Sequence, residues 1–393
     1  MTDVLYLAWR YLAFHKIKTL ILVASITLIV FLPVGLNVIV GQSSEELTAR
    51  AEATPLLVGA KGSPLELVLN SLYFDADPPE LTTYAEALRI SESGMATPIP
   101  LYVRFRSRES AIVGTSLEYF DFRGLGFAEG RPMAVLGECV IGSKVARDLE
   151  VGVGGTVISS PESVFDLAGV YPLKMTVVGV LEPSFTADDA AVFVDVKTAW
   201  VIQGLVHGHQ DLAAPEAAAG VLKRDGDTIV GNASVVQYNE ITPDNVDSFH
   251  FHGDMSDYPV SAVIAVPRDQ KSGTILMGRY EGDEEASQIV HPTTVMNELL
   301  DTILTIQGFV VAAILLVAAA TIATAALVFL LSLRLRRREI ETMTKIGGSR
   351  GSIATILVSE VAAVLILGVI LAGVLTLATS QFGAGIIRAW LLA

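Results

Sequence analysis

The sequence predicts an α-helical membrane protein that carries a large α+β extracytoplasmic domain and has three transmembrane helices. Three observations support this. Half of the residues are hydrophobic (51%), yet the formal net charge is −15, a combination that membrane spans and an acidic domain explain together. The apolar residues gather into three long runs, one near the N-terminus and two near the C-terminus. The stretch between the first and second runs is acidic, and its hydrophobic residues come instead in short β-branched bursts bounded by Gly, Pro, Asp or Ser.

Taken in order, residues 1–19 form a basic flank with Arg10, Lys16 and Lys18 against Asp3. LILVASITLIVFLPVGLNVIV (20–40) is the first span, since about 20 residues at 1.5 Å rise cross about 30 Å of hydrocarbon. The following GQSSEELTAR has no A-x-A cleavage site, so this run reads as a retained anchor. Residues 41–302 form the extracytoplasmic domain, 303–333 the second span, 334–352 a basic cytoplasmic segment, and 353–377 the third span. Residues 378–393 are then an extracytoplasmic tail, because an odd number of spans returns the chain to the far side. Charge sets the orientation. The two flanks and the third span with its tail hold ten basic and four acidic groups, which leaves 17 basic and 38 acidic for 42–302, a net −21. Short basic flanks stay in the cytoplasm, whereas long domains translocate largely regardless of charge.

Within the domain, Ser43 or Ser44 is placed to cap a short helix with Glu45 and Glu46 in its first turn. LLVGAKGSP reads as strand and turn. PLYVRFR, SAIVGT, AVLGECVIG, LKMTVVGVL and AAVFVDV read as strands of a mostly antiparallel sheet, with helices at SKVARDLE and VKTAWVIQGL. AAPEAAAG (213–220) marks a loop, and with it a subdomain joint near 206–220. The single cysteine, Cys139, has no internal disulfide partner and sits in an apolar setting, so it reads as a buried structural thiol. From Thr293 a helical pattern with Val295, Met296, Leu299, Leu300 and Ile303 on one face runs into the second span, making one long helix. The alanines of that span, and Gly368 and Gly373 in the third, permit close helix approach. Glu360, within the third span, needs a partner or the interface.

The segment between the second and third spans reads LRLRRREIETMTKIGGSRGSI. Ile340, Met343 and Ile346 recur on one face of a short helix, Gly347 and Gly348 end it, and Ser349 or Ser352 caps the next. Two readings follow from the residues. The cluster is a juxtamembrane anchor to anionic lipid, worth about 1 kcal/mol per charge, or an amphipathic helix that lodges in a groove of a soluble partner.

At these residues the chain resembles the permeases of ABC transporters that carry an extracytoplasmic domain, the macrolide-exporter and FtsX-like family with its MacB-type core domain. Arg336, Arg337, Arg338, Glu339, Ile340, Gly347, Ser349 and Arg350 match the family's basic segment, and IGSKVARDLEVGVGGTV and MTVVGVLEPSFTADDAAVFVDVKTA match two elements of its core domain. The resemblance implies a bacterial inner-membrane permease. Its partner is a cytoplasmic ABC ATPase docked on Arg336–Arg338, Glu339, Ile340, Met343, Ile346, Gly347, Ser349 and Arg350. It works as a homodimer or as a heterodimer with a related permease, with an extracytoplasmic accessory protein as a further partner. ATP-driven motion in the partner would reach the external domain and serve substrate transport or extraction. As alternatives, the resemblance admits a transmembrane regulator of an external effector such as a cell-wall hydrolase, or a zinc-uptake permease. The family has a fourth span; here only TSQFGAGIIRAWLLA follows the third, short and broken by glycine, so the expectation is a three-span variant or a pattern cut short.

Four of the six histidines fall in two H-x-H pairs, His207/His209 and His250/His252, with Asp254 following. Alternation on a strand puts both imidazoles of a pair on one face, a spacing suited to zinc. The opposing reading is two unrelated exposed loops. No cofactor is expected to bind directly apart from zinc at these residues. No phosphate-binding G-x-x-x-x-G-K-[ST] loop or zinc-protease helix occurs, so the chain is read as non-catalytic. The acidity of 42–302 argues against nucleic acid.

Overall fold

The computed structural model describes the chain apart from residues 1, 76, 161–171, 209–220, 226–227, 232–237, 283, 346, 348 and 392–393. Two compact units emerge, one of residues 1–47 with 299–391 and one of residues 48–298.

The N-terminal flank is helical: α1 (Thr2–Phe14) turns at His15 into α2 (Lys16–Glu52). Tyr6, Trp9 and Phe14 are exposed on α1. The expected helix start at Ser43 or Ser44 does not occur, because α2 runs through both to Glu52. Nothing between Ser43 and Glu52 breaks a helix, and Glu, Leu, Ala and Arg are strong helix formers, so propagation is easier than a new nucleus. Pro33 lies inside α2. Such a residue is tolerated where neighbouring helices and hydroxyls compensate the lost hydrogen bond.

In chain order the domain contains β1 (Leu56–Ala60), α3 (Pro64–Val68), β2 (Thr82–Thr83), α4 (Ala85–Ser93), β3 (Ala96–Ser107), β4 (Ser110–Thr115) and α5 (Glu118–Arg123). It continues with β5 (Phe127–Gly130), β6 (Glu138–Ile141), α6 (Ser143–Leu149), β7 (Thr156–Ile158), β8 (Lys174–Leu181), β9 (Ala191–Asp195), α7 (Val196–Ile202) and β10 (Val206–Gly208). The last elements are β11 (Val221–Asp225), β12 (Thr228–Gly231), β13 (Phe249–Phe251), β14 (Pro259–Val260), β15 (Ala262–Pro267), α8 (Gln270–Gly278) and β16 (Ser287–Val290).

Ten strands form one mixed sheet in the order β16-β1-β15-β3-β4-β9-β6-β8-β5, with β7 on β8. The pairs β4–β9 and β6–β8 are parallel and the others antiparallel. Sequence pattern follows position. Central β9 (AVFVD) is apolar almost throughout and nearly all buried, whereas outer β8 (KMTVVGVL) buries every second residue. Helix α7 lies against the sheet where Gly114 leaves room, since a Cβ there would sit 2.6 Å from Ala199 Cβ. The core around it holds Tyr102, Val192 and Trp200, while Phe193 is buried against Tyr119 and Phe120; each such side chain contributes about 1.5–3 kcal/mol or more by leaving water. Cys139 is buried there, as expected, and burial pushes its thiol up to about 12. The domain is one compact unit; AAPEAAAG, where a joint is expected, lies outside the described residues.

An ionic cluster is buried inside this domain. Arg50 Nη1 donates to Asp188 Oδ2 (2.6 Å), and Nη2 donates to Asp188 Oδ1 (2.8 Å) and to the Tyr119 hydroxyl (2.7 Å). Tyr119 in turn donates to Asp188 Oδ1 at 2.7 Å, and Arg50 Nε donates to the Leu72 carbonyl. Thr186 Oγ1 adds a fourth bond to Asp188 at 2.9 Å. Burial alone would raise the Asp188 carboxyl, but the Arg50 charge and the bonds from Arg50 and Tyr119 hold it below the usual carboxylate range.

The chain then enters α9 (Pro292–Leu335), α10 (Arg337–Lys345) and α11 (Arg350–Leu391). Three helices, within Lys16–Glu52, Pro292–Leu335 and Gly351–Gly383, are long and apolar enough to cross a membrane. The tail expected to break at its glycines instead continues α11 to Leu391. A glycine inside a helix costs only about 1 kcal/mol against alanine, and its neighbours here are good helix formers. Gly368 brings α11 against α2: a Cβ there would meet Ile26 at 2.6 Å, and the Thr27 hydroxyl donates to the Gly368 carbonyl. A Cβ on Gly373 would meet nothing within 4 Å. Of the alanines on α9, Ala318 is buried, while Ala312, Ala313, Ala319, Ala320, Ala323 and Ala326 are exposed.

Candidate functional site

Two groups of residues carry the functional expectations, and the structure treats them differently. The basic segment folds as the short helix α10. Arg337, Arg338, Glu341 and Lys345 are exposed, whereas Ile340 and Met343 are half-buried. Arg337 and Glu341 form a solvent-exposed pair one helical turn apart (3.3 Å), worth a few tenths of a kcal/mol. Gly347 follows with φ +97°, a backbone that favours glycine. Ser349 Oγ then accepts from the Ser352 amide, capping α11. Glu339 and Arg350 lie within helices α10 and α11, and Ile346 lies outside the described residues.

Arg336 stands apart from its exposed neighbours. It sits at the turn between α9 and α10 and points inward, donating to Glu360 Oε2 at 3.0 Å and lying 3.7 Å from the Tyr11 ring centroid. An arginine held by a carboxylate and an aromatic face fastens the helices that carry them. It also supplies the partner that Glu360 requires, for that side chain is only 3% exposed. The arginine run alone could not show this, since the pairing depends on the turn at Arg336.

The histidines converge. Strands β10 and β13 form an antiparallel ribbon in which His207 stands directly opposite His250. His252, two residues beyond His250, shares that face. The potential ligand nitrogens of His207, His250 and His252 all lie within 4.8 Å of one another. The opposite face anchors the ribbon, with Val206 and Phe249 buried in the core. Gly208 is required there, because a Cβ would sit 2.6 Å from the Phe249 ring.

Two further contacts fix the imidazoles. His250 Nδ1 lies 3.0 Å from the Ser248 carbonyl; a carbonyl only accepts, so Nδ1 carries the proton and Nε2 keeps its lone pair. Tyr258 holds the backbone of His252 on both sides, accepting from its amide (2.8 Å) and donating to its carbonyl (2.9 Å). Tyr258 is itself buried against Trp200, with ring centroids 4.8 Å apart. His209 lies outside the described residues. Asp254 is not in the group; it accepts from the Ser256 amide, which with the Ser256 side chain lowers its carboxyl. Tyr258 and Ser248 were missed by sequence reasoning, as neither has a motif that marks it.

The model of the MacB-like periplasmic core domain family matches residues 19–227. Solved structures similar to the chain include the following three. The periplasmic region of MacB from Actinobacillus actinomycetemcomitans is 12% identical, covering 63% of this chain and 94% of that one, with a TM-score of 0.34. The extracellular domain of the noncanonic ABC-type transporter YknZ from Gram-positive bacteria is 14% identical, covering 60% and 98%, at 0.33. A domain of a putative permease protein from Porphyromonas gingivalis is 14% identical, covering 60% and 86%, at 0.27. No protein of curated function matches. With more than half of its length matched by the family model, and with span-length helices beside the mixed-sheet domain, the chain belongs to the MacB-like periplasmic core domain family of ABC-type permeases.

Proposed function

We propose that this chain is the membrane subunit of an ATP-driven complex, in which a separate cytoplasmic ATPase engages α10 and its motion is passed to the extracytoplasmic domain. The observation that carries this reading is the lock between Arg336 and Glu360. It fastens the root of α10 to α11, so force on the short helix is delivered to a long one and not lost in a loose turn. The exposed Arg337, Arg338 and Lys345 offer the contact surface, and the unbroken α9 offers a stiff element from Pro292 to Leu335. The chain has no phosphate-binding loop of its own. In this reading the moving domain serves transport or extraction of a substrate, and two membrane subunits act together.

The test is copurification with a co-expressed ATPase. Arg337→Glu with Arg338→Glu changes only exposed side chains and should abolish recovery of the ATPase while leaving membrane insertion intact. Ile340→Asp with Met343→Asp should do the same. Undiminished recovery with both double variants would exclude α10 as the docking element.

A further inference from the structure

We infer that His207, His250 and His252 form a binding site for a divalent late transition ion, zinc(II) foremost. The geometry is close to that of a loaded site. Tetrahedral zinc with bonds of about 2.0–2.1 Å sets its nitrogens roughly 3.3 Å apart. The three nitrogens lie within 4.8 Å of one another, so side-chain rotation closes the gap of about 1.5 Å at most and the ribbon need not move.

The donor set selects the metal. Three neutral imidazoles suit zinc, copper or nickel and not magnesium or calcium, which take oxygen ligands. Among the described residues the group includes no carboxylate, so the ion keeps its full charge.

The surroundings are those of a built site. The carbonyl of Ser248 presets the His250 tautomer so that Nε2 faces the ion, the outer-shell device by which proteins orient ligating histidines. Tyr258, buried and braced by Trp200, sets the height of His252 on its strand. A chance cluster on a mobile loop would have neither. The inference stands apart from the coupling role of α10, since it needs no ATPase, and either can fail alone.

The test uses the tag-free full-length chain in detergent, stripped with chelator and titrated with cobalt(II) alone, then zinc(II). One equivalent of cobalt should bind with the visible absorption of a four-coordinate complex, and one equivalent of zinc should displace it. His252→Ala, at an exposed side chain, should weaken binding by about 100-fold or more, and Tyr258→Phe, which touches no metal, by about tenfold. Unmetallated His252→Ala should melt with the parent, which separates lost ligation from lost fold. Absence of cobalt binding, or binding unchanged in His252→Ala, would overturn the assignment.

Discussion

Removing the Asp188 carboxylate should be the most damaging single change in the external domain that touches no apolar side chain. Asp188→Ala strips Arg50 of two charge-assisted hydrogen bonds and deprives Tyr119 of its acceptor. The guanidinium remains 7% exposed with no counter-ion from this pair. Breaking a buried pair on one side costs about 3–5 kcal/mol, because the other charge stays buried. For a domain of this size each kcal/mol moves the melting point by about 2–4 °C, so the expected drop is roughly 6–20 °C. Thermal unfolding of the full chain in detergent, read through buried Trp200 with Trp9→Phe and Trp390→Phe in place, measures it. Arg50→Met combined with Asp188→Leu removes both charges and keeps the volume, and should recover most of the loss. Acid gives an independent check. The folded carboxyl is depressed, so its contribution is complete above the ordinary carboxylate range and fades as pH falls through the depressed value. The difference between parent and Asp188→Ala should therefore hold steady near neutrality and narrow in acid. If the double variant melts as low as the single one, the cluster acts through packing and the electrostatic reasoning fails.

Gly208→Ala should lower the melting point by the equivalent of about 1–3 kcal/mol, since the new methyl would overlap the Phe249 ring; an unchanged melt would show that the ribbon yields. Cys139, buried and with its thiol pushed up to about 12, should resist maleimide in the native chain at neutral pH and react fully after denaturation, as mass spectrometry would report. Native labelling at the denatured rate would contradict the assigned burial.

The sheet was largely legible in the sequence because its signals are local. LKMTVVGVL and AAVFVDV are both short β-branched runs; the first buries every second residue of its strand and the second nearly all of them. SKVARDLE and VKTAWVIQGL became α6 and α7. The histidine pairs showed a shared face within each pair, but the convergence of His207 on His250 depends on a strand register between distant segments. No local pattern encodes that register. The contacts of Arg336 are hidden for a related reason: its neighbours in sequence are docking candidates, while its partners, Tyr11 and Glu360, come from other helices. The helix ends were misjudged because serine and glycine are weak stop signals, and the strong apolar runs beside them carried α2 and α11 onward.

The placing of β1 has a mechanical consequence. This strand starts just after α2 ends, and β16 stops just before α9 begins. The two are antiparallel, with Leu57 facing Val290 and Ala60 facing Ser287, so the domain's incoming and outgoing chain ends lie side by side at one end of a ladder. A pull that separates those ends loads the hydrogen bonds singly, starting at Leu57, as a zip opens. A pull along the strands in a common direction leaves the ladder between them unstressed. β1 is also bonded on its other edge to β15, so yielding at the first seam still leaves the strand seated. The domain is thus compliant to spreading of its two chain ends and stiff to their joint displacement.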